Sequence, residues 1–118
     1  MKKKYRICIL FTVIFTFYGM GQSAFANNYS DEINAADKKV ILEQYEEAKE
    51  IYKKIIKSAD FSVVEAYAHY KLGALYKRQH ELGKAKEEYQ KGIISLKKAG
   101  ESKHQIGKYL AEALLYTG

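Results

Sequence analysis

"HYKLGALYKRQHELGKAKEEYQKG", His69 to Gly92, orders small and bulky residues in a way that dictates how two helices can meet. Leu72-Gly73 is followed by Tyr76, then by Ala85 and Tyr89. Antiparallel helices in close contact need small residues where their backbones approach and large ones filling the space alongside. Gly73 and Ala85 meet the first need; Leu72, Tyr76 and Tyr89 meet the second. After Gln79 the apolar set resumes as Ala85, Tyr89, Gly92, Ile93 and Leu96, one face of a second helix. The stretch predicts a helical hairpin.

Capping residues extend the reading outward. Ser62-Val63-Val64-Glu65 has the form of a capping box, in which serine accepts from the N–H three residues on and glutamate reaches back. It predicts a helix starting at Val63. Ser102-Lys103-His104-Gln105 repeats the device just after Ala99-Gly100, where glycine can end the preceding helix in the left-handed conformation, and it predicts a last helix over Lys103 to Tyr116. Upstream, Ile33, Ala36, Val40, Ile41, Tyr45, Ala48, Ile51, Tyr52, Ile55 and Ile56 keep helical spacing, with Ser30 available as an N-cap. Residues 31–57 therefore read as helical, either as two helices broken near Glu43 to Tyr45 or as one continuous helix. The chain has no proline, and beyond residue 26 it is rich in Lys, Glu, Ala, Ile and Leu, so the expected class is all-α.

The first segment has a different character. Lys2, Lys3, Lys4 and Arg6 precede the apolar run Ile7 to Met20, which closes on Ala24-Phe25-Ala26. This is the layout of a secretory signal peptide over residues 1–26, cleaved after Ala26. The run is shorter than the roughly 20 residues a membrane-spanning helix needs, so no stable membrane anchor is expected after cleavage. Export, to a periplasm or to the medium, is the expected localisation. The one cysteine, Cys8, lies inside the segment, which leaves the mature chain 27–118 without a disulfide. The formal charge of +6 reflects 20 basic against 14 acidic residues. Four of the basic residues belong to the signal, so the mature surplus is two, with Lys and Glu interspersed as on solvated helix faces. Nucleic acid is not an expected partner.

The hairpin pattern recurs. Tyr45-Glu46-Glu47-Ala48 with Tyr52 copies Leu82 to Ala85 with Tyr89, 37 residues earlier. A shift of 40 places Tyr109 on His69, Ala113 on Gly73, Leu115 on Leu75 and Tyr116 on Tyr76. An aromatic, Leu-Gly, Tyr, then Ala and an aromatic at these offsets resemble the tetratricopeptide repeat. His69 departs from the family's pattern, standing where a tryptophan or another large apolar residue is usual, as does Lys97 where proline is common. Lys39 occupies the site matching Tyr76, so the first helix is degenerate. The resemblance implies a solenoid of antiparallel helix pairs over residues 27–118, about two and a half repeats, closed by a C-terminal helix. His69, Leu72, Gly73, Tyr76, Ala85, Tyr89, Ala48 and Tyr52 are then structural positions.

Nothing in the sequence assembles a catalytic site. His69, His80 and His104 have no partner at the spacing of a helical zinc motif, and the paired glutamates Glu46-Glu47 and Glu87-Glu88 read as solvated faces. No enzyme activity, cofactor or metal is expected. The resemblance implies instead that the first helix of each pair lines a concave binding surface. On the best-matched repeat the corresponding positions are Tyr67, Tyr70, Ala74, Lys77 and Arg78. Two aromatic rings beside cations, one able to grip a carboxylate with two parallel hydrogen bonds, suit an extended peptide of acidic character. The family's three-helix carboxylate clamp is not reproduced, because Lys71 stands at its central asparagine position and Ile33 and Asp37 fill the first-helix positions. The expectation is an adaptor for a peptide or protein partner. The alternative is a structural subunit of a self-associating, secretion or surface assembly, with no ligand in the groove.

Overall fold

The computed structural model of the chain describes residues 29–101 and 103–117. The expected export segment 1–26 and the expected cap Ser102 lie outside the described residues. Contacts divide the chain into two units, Met1–Asp31 and Glu32–Gly118. Of the first, residues 29–31 are described and are helical; the second carries the features that follow.

Among the described residues the secondary structure is helical throughout: α1 (29–41), α2 (Tyr45–Ser58), α3 (Ser62–Arg78), α4 (Leu82–Lys98) and α5 (Gln105–Thr117). Residues 31–57 thus form two helices, broken at 42–44. α3 is the hub. It packs most extensively on α4, then on α2 and α5, and α4 also packs on α5.

Three turns share one geometry. After α1, Gln44 N–H donates to the Lys39 carbonyl and Glu43 N–H to that of Val40; after α3, Glu81 donates to Tyr76 and His80 to Lys77; after α4, Glu101 donates to Leu96 and Gly100 to Lys97. This is the Schellman arrangement, which needs a left-handed residue just past the helix. Glu43 (φ 59°), His80 (φ 63°) and Gly100 (φ 73°) supply it. The first two lie 37 residues apart, the interval at which the sequence repeats.

Three helix starts differ from expectation. Ser30, available in sequence as an N-cap, is itself helical in α1. A capping residue must itself be non-helical, and it is Phe61, at φ −109° and ψ 126°, that is extended before α3. Ser62 is already the first helical residue, so the capping box does not form and no side chain caps this end. α5 begins at Gln105 rather than Lys103 and runs one residue past Tyr116. Here the His104 imidazole takes the capping role, its Nδ1 accepting from Ile106 N–H at 3.1 Å.

The core follows the small-and-large spacing. Tyr89 packs a ring edge against the Gly73 backbone: a Cβ on Gly73 would stand 2.5 Å from the ring's Cε1. Tyr52, Tyr89, Ile55, Leu72, Leu96 and Leu110 are the largest fully buried side chains. Ala48 and Ala85 are both wholly buried, as positions 37 apart on α2 and α4 should be. Tyr76 is sandwiched between cations, with Lys49 Nζ 5.1 Å and Lys84 Nζ 5.7 Å from its ring centroid.

His69 is a buried polar residue that ties α3 to α4. Its Nδ1 lies 2.7 Å from Glu88 and its Nε2 3.8 Å from Glu65. Glu88 is therefore not on a solvated face; its side chain is 12% exposed, and Lys91 approaches its other oxygen at 3.4 Å. Burial by itself raises the Glu88 carboxyl, but the hydrogen bond and charge of His69, joined by Lys91, outweigh it and hold the group below the usual glutamate value. A carboxylate depressed in the folded state adds stability above its unfolded pKa and loses that contribution as pH falls through the folded one. Glu88→Gln should therefore cost stability at neutral pH, with the gap to the parent closing as pH falls below about 4.5. Urea midpoints between about pH 3 and pH 7 measure this.

α5 packs through Ile106 and Leu110, both buried. Its other face is more apolar than its lysines suggest. Tyr109, Leu115 and Tyr116 are 44%, 81% and 80% exposed, whereas His69, Leu75 and Tyr76, the matching positions on α3, are 5%, 2% and 9% exposed. On α3 these positions meet neighbours, His69 against Glu88 and Tyr76 against Lys84 of α4 and Leu75 beneath the α1 side; on α5 Leu115 and Tyr116 stay largely open.

Candidate functional site

The face of α3 opposite its buried stripe carries Tyr67, Tyr70, Lys71, Ala74, Lys77 and Arg78, which successive 100° steps place on one side of the helix. The structure divides them. Lys71, Ala74 and Arg78 turn towards α1, Tyr70 and Lys77 towards α5, and Tyr67 sits between the two sets.

On the α1 side, Asp37, Val40 and Ile41 face Lys71, Ala74, Leu75 and Arg78 across a cleft of about 400 Å³, with Tyr52 of α2 beneath. The Tyr52 hydroxyl donates to Asp37 Oδ1 at 2.5 Å, and Lys71 Nζ stands 3.4 Å from the same carboxylate. Burial, then the hydrogen bond and charge of Asp37, push the Tyr52 hydroxyl far above the usual tyrosine range. It stays protonated and remains a donor. Tyr52 is thus a core ring with its polar end in the cleft. Arg78 is exposed and has no carboxylate partner among the described residues, so it is the uncompensated charge there.

At the other end of the groove, a second cleft of about 300 Å³ is lined by Ile33 of α1, Val63, Val64 and Tyr67 of α3, and His104, Gln105, Ile106 and Tyr109 around the start of α5. Its lining is mostly apolar. Lys71 Nζ lies 5.5 Å from the Tyr67 centroid, so the two clefts adjoin through this pair. Tyr70 is the centre of an aromatic cluster, with ring centroids 6.4 Å from Tyr67, 6.1 Å from Tyr89 and 6.3 Å from Tyr109. Its ring stiffens the wall. Lys77 reaches the Tyr116 ring, 6.0 Å from the centroid, on the α5 side.

Of the residues singled out in sequence, Ala74 and Arg78 line the polar cleft and Tyr67 the apolar one, with Tyr70 beside it and Lys77 apart. Asp37, Lys71 and the Tyr52 hydroxyl form a cluster that the repeat pattern does not mark. A signal for it exists, because Asp37 and Lys71 are opposite charges 34 residues apart, on α1 and α3. The apolar cleft draws residues from three helices and has no such mark. Among the described residues no cluster of His, Cys, Asp or Glu could hold a metal ion, and no helix is long and apolar enough to cross a membrane.

Compared with models of protein families, with curated proteins and with solved structures, the chain gives no match.

Proposed function

We propose that the protein is an exported adaptor of the tetratricopeptide type, binding a peptide or protein segment in the groove formed by α1, α3 and α5. The repeat pattern of the sequence, the 37-residue recurrence of the turns and the helix pairing support the family reading. The layout of residues 1–26 supports export. The observation that carries the binding reading is the exposed, unpaired Arg78 at one end of a groove whose other end is apolar. Such a surface offers a charge and a dry contact to a ligand, which supports a binding role.

Capture from an extracytoplasmic fraction, using the chain beside a Tyr70→Ala, Arg78→Glu variant of equal helicity, tests this. A partner held by the parent and lost from the variant is the expected result; a partner held equally by both would remove the groove from the function.

One observation favours a second reading. Leu115 and Tyr116, widely exposed near the end of α5, suit association with another copy or with an assembly. Sedimentation that depends on concentration would distinguish that subunit role from a monomeric adaptor.

A further inference from the structure

We infer that the groove measures its ligand: it accepts an extended segment carrying an apolar side chain and a carboxylate four to five residues apart. This rests on the peptide-binding reading above and adds the chemistry and the spacing of what is bound.

The apolar cleft draws Val63, Val64 and Tyr67 from α3; the polar cleft draws Lys71, Ala74, Leu75 and Arg78 from the same helix. The centres of these two sets are about ten residues apart, and at about 1.5 Å per residue the clefts are about 15 Å apart along the helix. α1 repeats the order, with Ile33 at the apolar end and Asp37 to Ile41 at the polar end. An extended chain advances about 3.3 Å per residue, so four to five steps cover the distance.

The two ends differ in what they accept. The apolar cleft has room for one large side chain, and its walls combine the branched Ile33, Val63, Val64 and Ile106 with the rings of Tyr67 and Tyr109. In the polar cleft Asp37 is already engaged by the Tyr52 hydroxyl and Lys71. That leaves Arg78 to select for negative charge, and its planar fork matches a carboxylate from either a side chain or a chain end. Between the clefts stand Tyr67 and Lys71, the latter paired across to Asp37 of α1, so the bound segment passes over this pair.

Two series of synthetic peptides test the spacing by NMR titration of the full chain. One is acetyl-Phe-(Ser)n-Glu-amide and the other acetyl-Phe-(Ser)n with a free C-terminal carboxylate, with n running from zero to seven. Affinity is expected to peak where Phe and the carboxylate are four to five residues apart and to fall at least tenfold when they are separated by one. The series that shows the peak identifies the carboxylate source. Replacing glutamate by glutamine should remove the peak, and Arg78→Gln should do the same while leaving the weak, spacing-independent contact of Phe. Val64→Asp should weaken every peptide. Affinity that is equal at all spacings, or equal for glutamate and glutamine, overturns the inference while leaving groove binding in place. If no peptide of either series binds, the inference also fails, and the capture experiment decides the broader reading.

Discussion

Tyr89→Ala is expected to abolish cooperative unfolding of the helical domain. The ring is 2% exposed and lies between the Gly73 backbone and Tyr70. Removing a buried aromatic ring costs about 3 to 5 kcal/mol, because the cavity collapses only in part. A domain of this size has about 5 to 10 kcal/mol in total, so the loss takes most of it. The damage falls on the α3–α4 contact, the most extensive in the fold, and both walls of the groove depend on α3. Circular dichroism should show a broad, low-temperature loss of helix in place of a sigmoidal transition. A variant melting within a few degrees of the parent would refute this account of the core.

Gly73→Ala should destabilise the same contact from the other side, although alanine favours a helix over glycine by about 1 kcal/mol. The added Cβ would meet Tyr89 Cε1 at 2.5 Å and Cδ1 at 2.7 Å, and the ring, packed on its far face, has little room to retreat. Overpacking of this kind costs about 1 to 3 kcal/mol. The test is a double-mutant cycle in chemical denaturation. Tyr89→Leu removes the clashing ring edge, so the double variant with Gly73→Ala should be more stable than the sum of the single losses allows. Gly83→Ala, where a Cβ meets nothing within 4 Å, is the control and should be neutral or mildly stabilising. Additive losses in the cycle would mean that Gly73 is small for some reason other than Tyr89.

How much of this was legible depends on the range of the interaction. The α3–α4 hairpin could be read because its determinants, Leu72, Gly73, Tyr76, Ala85 and Tyr89, lie within 18 residues and obey one helical period. The break at residues 42–44 was one of two readings, since periodicity alone cannot show a left-handed residue when it is Glu43 rather than glycine. His69 reads in the sequence only as a departure from the repeat pattern, because its partner Glu88 is on another helix and sits in a pair of glutamates that looks solvated. Lys49 was equally hidden. A lysine at a buried position is invisible to an apolar pattern, yet its stem is covered while Nζ reaches Glu46 at 2.9 Å. The candidate groove shows the same division: the stripe along α3 follows from spacing, whereas the clefts need the placement of α1 and α5 against it.

Two of the three Schellman turns place a side-chain-bearing residue, Glu43 or His80, in a conformation that glycine adopts freely. The left-handed conformation costs an L-residue about 1 to 2 kcal/mol, partly offset in any comparison with glycine by the greater freedom glycine has when unfolded. Glycine at either position would raise stability by a few tenths to about 1 kcal/mol, and both turns adjoin the polar cleft, the first through Val40 and the second through Arg78, without lining it themselves. In evolutionary terms the molecule holds slack at turns that flank the candidate groove without lining it. Proteins near a stability threshold tolerate new binding residues only when the destabilisation these bring is compensated elsewhere. These turns are where a lineage changing the side chains of the candidate groove could recover the stability that such changes remove.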